Sequence, residues 1–177
     1  GDECFTGTSQ LSGINIKCDK IELGKSMVKN CPKISYVHIC SDKEVIVPTS
    51  TFEGSKSLEK VFLKSQGKLE LSKGCFSNLP TLNDVTLKSK EKIITNKSSF
   101  SSTKLRTFEM NSPGIYLGEQ ILNNCLDLHS ISLHDIGFVH LHSQALFGCK
   151  YLNEFNITPS EASTVSDYFK FPYLSEA

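Results

Sequence analysis

The sequence predicts a solenoid of about seven coils, each of about 24 residues, stacked through a parallel β-sheet and closed by a short helical turn. Three observations carry that prediction. A six-residue unit with apolar residues at its first, fourth and sixth positions recurs along the chain. A shorter apolar strip follows each unit, and five residues beyond that strip comes one more apolar position. A period of this length marks a repeat architecture: no coil can bury a core alone, and stacking makes the core continuous.

The units are LSGINI from Leu11, ISYVHI from Ile34, LEKVFL from Leu58, LNDVTL from Leu82, LRTFEM from Leu105, LHSISL from Leu128 and LNEFNI from Leu152, so each starts almost the same distance after the last. Alternation such as Val85-Thr86-Leu87 places every second side chain on one face, as a strand does. Residues 14–16, 37–39, 61–63, 85–87, 108–110, 131–133 and 155–157 are therefore expected to form one parallel sheet, with Val61, Val85 and Ile131 pointing inward. At roughly 4.8 Å per strand, seven coils make a slab on the order of 30 Å long.

The second strip alternates in the same way at Ile21/Leu23, Val45/Val47, Leu69/Leu71, Ile93/Thr95, Ile115/Leu117 and Val139/Leu141. The third apolar position is held by Val28, Phe52, Phe76, Phe100, Leu122 and Leu146. Between the second strip and the next unit, a stretch such as SKGCFSNLPT has room for a single helical turn. Phe5 precedes Leu11 by six residues, as Phe52 precedes Leu58, so the opening residues read as the tail of a further coil. The solenoid is accordingly drawn over residues 1–160, beginning mid-repeat. After Ile157 the pattern decays, and residues 161–177, with Tyr168, Phe169, Phe171 and Tyr173, read either as a cap over the last coil or as a linker.

The bulk properties narrow the function. With 177 residues, 38% of them hydrophobic, the chain suffices for one domain with a sizeable core. Nineteen basic and nineteen acidic residues cancel, so neither a nucleic-acid nor an anionic-membrane footprint is expected, and no apolar run approaches the length that spans a bilayer.

The residues Phe76, Leu79, Leu82, Val85 and Leu87, then Leu122, Cys125, Leu128, Ile131 and Leu133, then Leu146, Cys149, Leu152, Phe155 and Ile157 spell one pattern three times. It resembles leucine-rich repeats, and within them the BspA-like subclass, from about Phe5 to Ile157. The ordinary repeat has an Asn three residues after the third apolar position of the unit. Here those places hold Asp19, Asp42, Gln66, Lys90, Pro113 and Ile136, a departure that favours the BspA-like subclass over the receptor-type horseshoe. The resemblance implies a leucine-rich-repeat solenoid of the α/β horseshoe type that binds proteins. It further implies a surface or secreted protein of the kind linked to adherence in bacteria and protists.

Catalysis is not expected: no GxSxG, P-loop, HExxH or glycine-rich dinucleotide turn occurs, and the carboxylates Asp84 and Glu109 would face solvent, where nothing raises a pKa for acid–base work. No cofactor is expected. Cys31, Cys125 and Cys149 share one phase and read as small buried packing residues; Cys4 and Cys75 share another, three coils apart; Cys18 and Cys40 follow adjacent units and are the one couple to check for a bridge. Four histidines, His129, His134, His140 and His142, crowd into one short stretch, and His140 and His142 flank Leu141 on one strand, but no third ligand completes a metal site, so none is expected. Asn96 and Asn156 open glycosylation tripeptides.

A binding module remains the expected function, with a protein partner and no contact of this segment with a membrane. Its face is expected where outward columns gather Tyr36, Lys60 and Asp84 beside His38, Phe62 and Glu109, because exposed aromatics favour interface anchoring. The site is expected on a larger cell-surface or secreted protein. A structural spacer or coat segment, or an intracellular scaffold suited to unpaired cysteines, is the alternative.

Overall fold

A computed structural model describes residues 1–160 and folds them into a β-solenoid of two parallel sheets. The expected unit strands are present. They are β1 (Gly13–Cys18), β2 (Tyr36–Ser41), β4 (Lys60–Ser65), β6 (Asp84–Ser89), β8 (Thr107–Asn111), β10 (Ser130–Ile136) and β12 (Glu154–Pro159), hydrogen-bonded in that order as one seven-stranded sheet. The second strip supplies a five-stranded sheet, β3 (Val45–Val47), β5 (Leu69–Leu71), β7 (Ile93–Thr95), β9 (Gly114–Leu117) and β11 (Phe138–Leu141). Register follows the repeat: Val61 pairs with Val85 and Val85 with Phe108. Val61, Val85 and Ile131 point inward and are buried, as the alternation requires.

Three details differ from the expectation. The seven strands of the first sheet enclose six complete turns, so the stack is about six turns rather than seven full coils. Ile21 and Leu23 carry the second-strip pattern but form no strand; Leu23 is buried and the strip begins its hydrogen bonding only at β3. Most consequentially, no helix occurs among the described residues, so the α/β reading of the coil gives way to an all-β one.

The missing helical turn has a backbone cause. The coils around Val28, Phe52, Phe76, Phe100 and Leu122 each carry two residues in the left-handed region, two positions before and two after that apolar residue: Ser26 and Asn30, Ser50 and Gly54, Gly74 and Asn78, Ser98 and Ser102, Gln120 and Asn124; around Leu146 only the second of these positions, Gly148, is left-handed. A left-handed residue cannot continue a right-handed helix. Alternate N–H groups of the segment instead reach the next coil: Gly74, Phe76 and Asn78 donate to the carbonyls of Lys97, Ser99 and Ser101 at 3.1, 2.9 and 2.9 Å. The turn segment thus becomes a third hydrogen-bonded strip. Residues 1–8 join it, with Glu3, Phe5 and Gly7 donating to Lys25, Met27 and Lys29.

The core lies between the three strips. Phe52, Phe76 and Phe100 stack one coil apart, with ring centroids 4.8 and 5.2 Å apart and planes nearly parallel, and Phe108 meets Phe100 edge-on at 5.1 Å. Where an Asn ladder would run, a column of buried serines runs one residue earlier, at Ser41, Ser65, Ser89 and Ser112. Their hydroxyls lie within hydrogen-bonding distance of bend carbonyls: Ser65 Oγ of Lys43 O at 2.7 Å and Gly67 O at 2.8 Å, Ser89 Oγ of Gly67 O at 2.9 Å. A buried carbonyl without a partner costs about 1–3 kcal/mol, so the short hydroxyl here takes the place of the missing Asn amide.

Candidate functional site

The outer face of the seven-stranded sheet is built by what the core does not use. Because Val37, Ile39, Val61 and Leu63 face inward, the residues between them must face out. The register then aligns Gly13, Tyr36, Lys60, Asp84, Thr107, Ser130 and Glu154 in one column. The next column holds Asn15, His38, Phe62, Thr86, Glu109, Ser132 and Asn156, and a third begins Lys17, Cys40, Lys64, Lys88.

Within these columns the six candidate residues divide into contacts. His38 meets Phe62 edge-on with ring centroids 4.6 Å apart, which leaves Phe62 half-buried. Lys60 Nζ lies 4.0 Å from Asp84 Oδ2, and Lys88 Nζ lies 3.9 Å from Glu109 Oε1. Asp84 is exposed and Glu109 half-buried, and both are members of surface ion pairs, worth little to stability.

Tyr36 has a structural duty that the residue pattern did not reveal. Its ring lies over Gly13 of the edge strand, where an added Cβ would collide with the ring. The aromatic covers a backbone that glycine leaves bare. The second sheet repeats the device, with Phe138 over Gly114 and Tyr116 edge-on to Phe138 at 5.1 Å. The signal is legible in principle: in each pair a glycine stands one period before an aromatic.

The cysteines separate into two kinds. All seven are free thiols. Cys31, Cys125 and Cys149 sit in the turn strip with their sulfurs 2.9, 3.2 and 3.3 Å from the carbonyls of Phe5, Phe100 and Leu122 in the preceding coil, so each thiol is a weak donor between coils as well as a packing group. Burial pushes the Cys31, Cys75 and Cys125 thiols up and the Cys149 thiol up to about 12. The couple Cys18 and Cys40 is not bridged, for a geometric reason. Cys18 is in register with Ser41 and Cys40 with Lys17, so the two side chains leave opposite faces of the sheet. Cys40 lies instead 3.3 Å from the His38 ring nitrogen Nε2.

The histidine cluster is dispersed. His140 faces outward beside Tyr116 at 6.0 Å, His142 Nδ1 accepts the Gln144 N–H at 3.4 Å, and His129 stacks on Tyr151 at 6.4 Å. Among the described residues no three His, Cys, Asp or Glu side chains are placed to hold a metal ion, and no helix is long and apolar enough to cross a membrane. Of the two glycosylation asparagines, Asn96 is half-buried with Nδ2 donating to Leu71 O at 3.0 Å, whereas Asn156 is exposed on β12. The aromatic residues Tyr168, Phe169, Phe171 and Tyr173, read as a cap or linker, lie outside the described residues.

Compared with known families, the chain matches the model described as BspA type leucine rich repeat region in 6 copies, over residues 1–98 and 69–176. No curated protein and no solved structure matches it.

Proposed function

We propose that this chain, which belongs to the BspA-type leucine-rich repeat family, is a non-enzymatic protein-binding module whose contact face is the outer side of the seven-stranded sheet. The observation that carries the reading is the His38–Phe62 contact on the second and third strands of that sheet, beside the exposed Tyr36. The core does not need His38 or Phe62, since the inward residues of the same strands are already sealed. Aromatic and charged side chains in register on a rigid surface are what an interface requires: little order is lost on binding, and the aromatics supply desolvated anchors. Lys60, Asp84 and Glu109 border them with charges of both signs, suited to setting orientation rather than affinity.

On this reading the module works within a larger cell-surface or secreted protein and attaches it to a protein on another cell. Family membership supports the binding role; adherence is the form that role takes here. Asn156 is the glycosylation site that suits such a setting, because its side chain is exposed while the Asn96 amide is engaged.

The test is titration of the labelled chain against an array of cell-surface proteins, in parallel with the double variant His38→Ala/Phe62→Ala. The expected result is a specific partner whose affinity falls by about 2 kcal/mol or more in the variant while the melting temperature is kept. Equal binding by parent and variant would move the site to the second sheet, around Tyr116 and His140. Binding to nothing by the parent would favour a spacer or scaffold.

A further inference from the structure

We propose that Cys40 is a reactive thiol, built to form a mixed disulfide with small anionic disulfides, while the other cysteines serve packing. The inference goes beyond the binding role and does not depend on it. Four side chains make the site. The Cys40 sulfur and His38 Nε2 stand 3.3 Å apart on alternate residues of β2, both on the solvent side. On the neighbouring strands, Lys17 of β1 and Lys64 of β4 are the residues in register with Cys40, so a lysine flanks the cysteine on each side. Among the described residues neither lysine is in an ion pair, unlike Lys60 and Lys88 of the same face.

Each part has a chemical role. The Cys40 sulfur is the nucleophile of a thiol–disulfide exchange, and the imidazole beside it is placed to take its proton. With its proton on Nδ1, His38 presents Nε2 to accept the thiol proton, and its ring is held in place by the edge-on contact with Phe62. The sulfur then attacks one sulfur of the incoming disulfide; a new S–S bond forms at Cys40, the old one breaks, and the leaving thiolate takes the proton from His38. The disulfide is reduced by the electron pair that Cys40 supplies, so no further oxidant enters. Lys17 and Lys64 attract and orient a reagent that carries carboxylates.

The remaining cysteines lack this setting. Cys31, Cys75, Cys125 and Cys149 are held protonated by burial, and Cys18 turns to the inner side of β1 with the serine column. Cys4 is the most accessible, and so is the internal control: it is exposed, with no imidazole or lysine aligned to it in a sheet. Accessibility alone predicts Cys4 to react first; the cluster predicts Cys40.

The experiment treats the native chain with substoichiometric dithiobisnitrobenzoate, an anionic disulfide, or with dithiodipyridine, an uncharged one, and maps the labelled cysteines by peptide mass spectrometry. Cys40 is expected to label about tenfold faster than Cys4 with the anionic reagent. His38→Phe, which keeps an aromatic against Phe62, should slow Cys40 with both reagents. Lys17→Gln with Lys64→Gln should slow it with the anionic reagent alone, an effect that added salt reproduces in the parent. Labelling of Cys4 as fast as Cys40, or an unchanged Cys40 rate in a folded His38→Phe variant, would overturn the proposal. Cys40→Ser, which should melt like the parent, must remove the fast phase; a fast phase that persists also overturns it.

Discussion

Leu82 and Leu152 occupy the same place in the repeat, yet Leu82 is sealed from solvent and Leu152 is only partly buried. The same contrast holds between Leu87 and Ile157 and between Phe76 and Leu146. The middle coils have a neighbour on both sides, whereas the last described coil, around β12, is packed from one side among the described residues. Its outer turn also carries Phe147 and Tyr151, each 63% exposed, where the middle coils show no large apolar side chain so bare. Residue type is therefore not what buries a side chain in this fold. Burial comes from the adjacent coil, which is why stability in such stacks is approximately a sum over interfaces between neighbours.

The sharpest way to break that comparison is to place one charge at equivalent points. Val85→Asp buries a carboxylate between β4 and β8 neighbours with nothing to pair it, and is expected to unfold the middle coils outright. Ile157→Asp, on β12, should leave the remaining coils folded, with a melting temperature close to the parent's. Circular dichroism melts of the two variants check this; equal damage from both would mean the stack unfolds as a single unit and that its end is as well packed as its middle.

A smaller effect separates the third apolar positions. Phe76→Ala removes the central ring of the Phe52–Phe76–Phe100 stack and should cost about 3–5 kcal/mol. Leu146→Ala, at a partly buried site, should cost well under half of that. Denaturant midpoints at an unchanged slope measure both values.

The smallest effect sharpens the account of the turn strip. At the second left-handed position the coils carry Gly7, Asn30, Gly54, Asn78, Ser102, Asn124 and Gly148, and only Ser102 is neither glycine nor asparagine. Ser102→Gly should stabilise the chain by about 0.5–1 kcal/mol, the relief of left-handed strain less the added entropy of an unfolded glycine. Gly54→Ala, with a φ of 75° and Asn30 pressed against it, should destabilise. A thermal shift in the same direction for both would contradict the left-handed turn as the element that replaces the helix.

How far these features can be read beforehand depends on what kind of signal each one leaves. The unit strands, their register and the outward columns with Tyr36, His38, Lys60, Phe62, Asp84 and Glu109 follow from a strand period nested inside the coil period. Each needs only the alternation of apolar residues. The serine column and the Asn/Gly/Ser column are also periodic, at Ser41, Ser65, Ser89 and Ser112 and at Asn30, Gly54 and Asn78. They are missed because small polar residues are read as loop filler unless one asks which backbone groups they satisfy. The helical turn is expected from the length of the segment alone, and length does not reveal the sign of φ.

The sequence by itself determined the architecture: a repeat whose apolar positions recur in phase has no compact alternative to stacking, since every other arrangement leaves each coil's core face in water. Only the tertiary structure decided which side chains meet across coils, because those partners stand about one full coil apart in the chain and their contact depends on register and on the direction each strand's side chains take. That is how Tyr36 came to cover Gly13, how Lys17 and Lys64 came to flank Cys40, and why Cys18, one strand away, faces the opposite side.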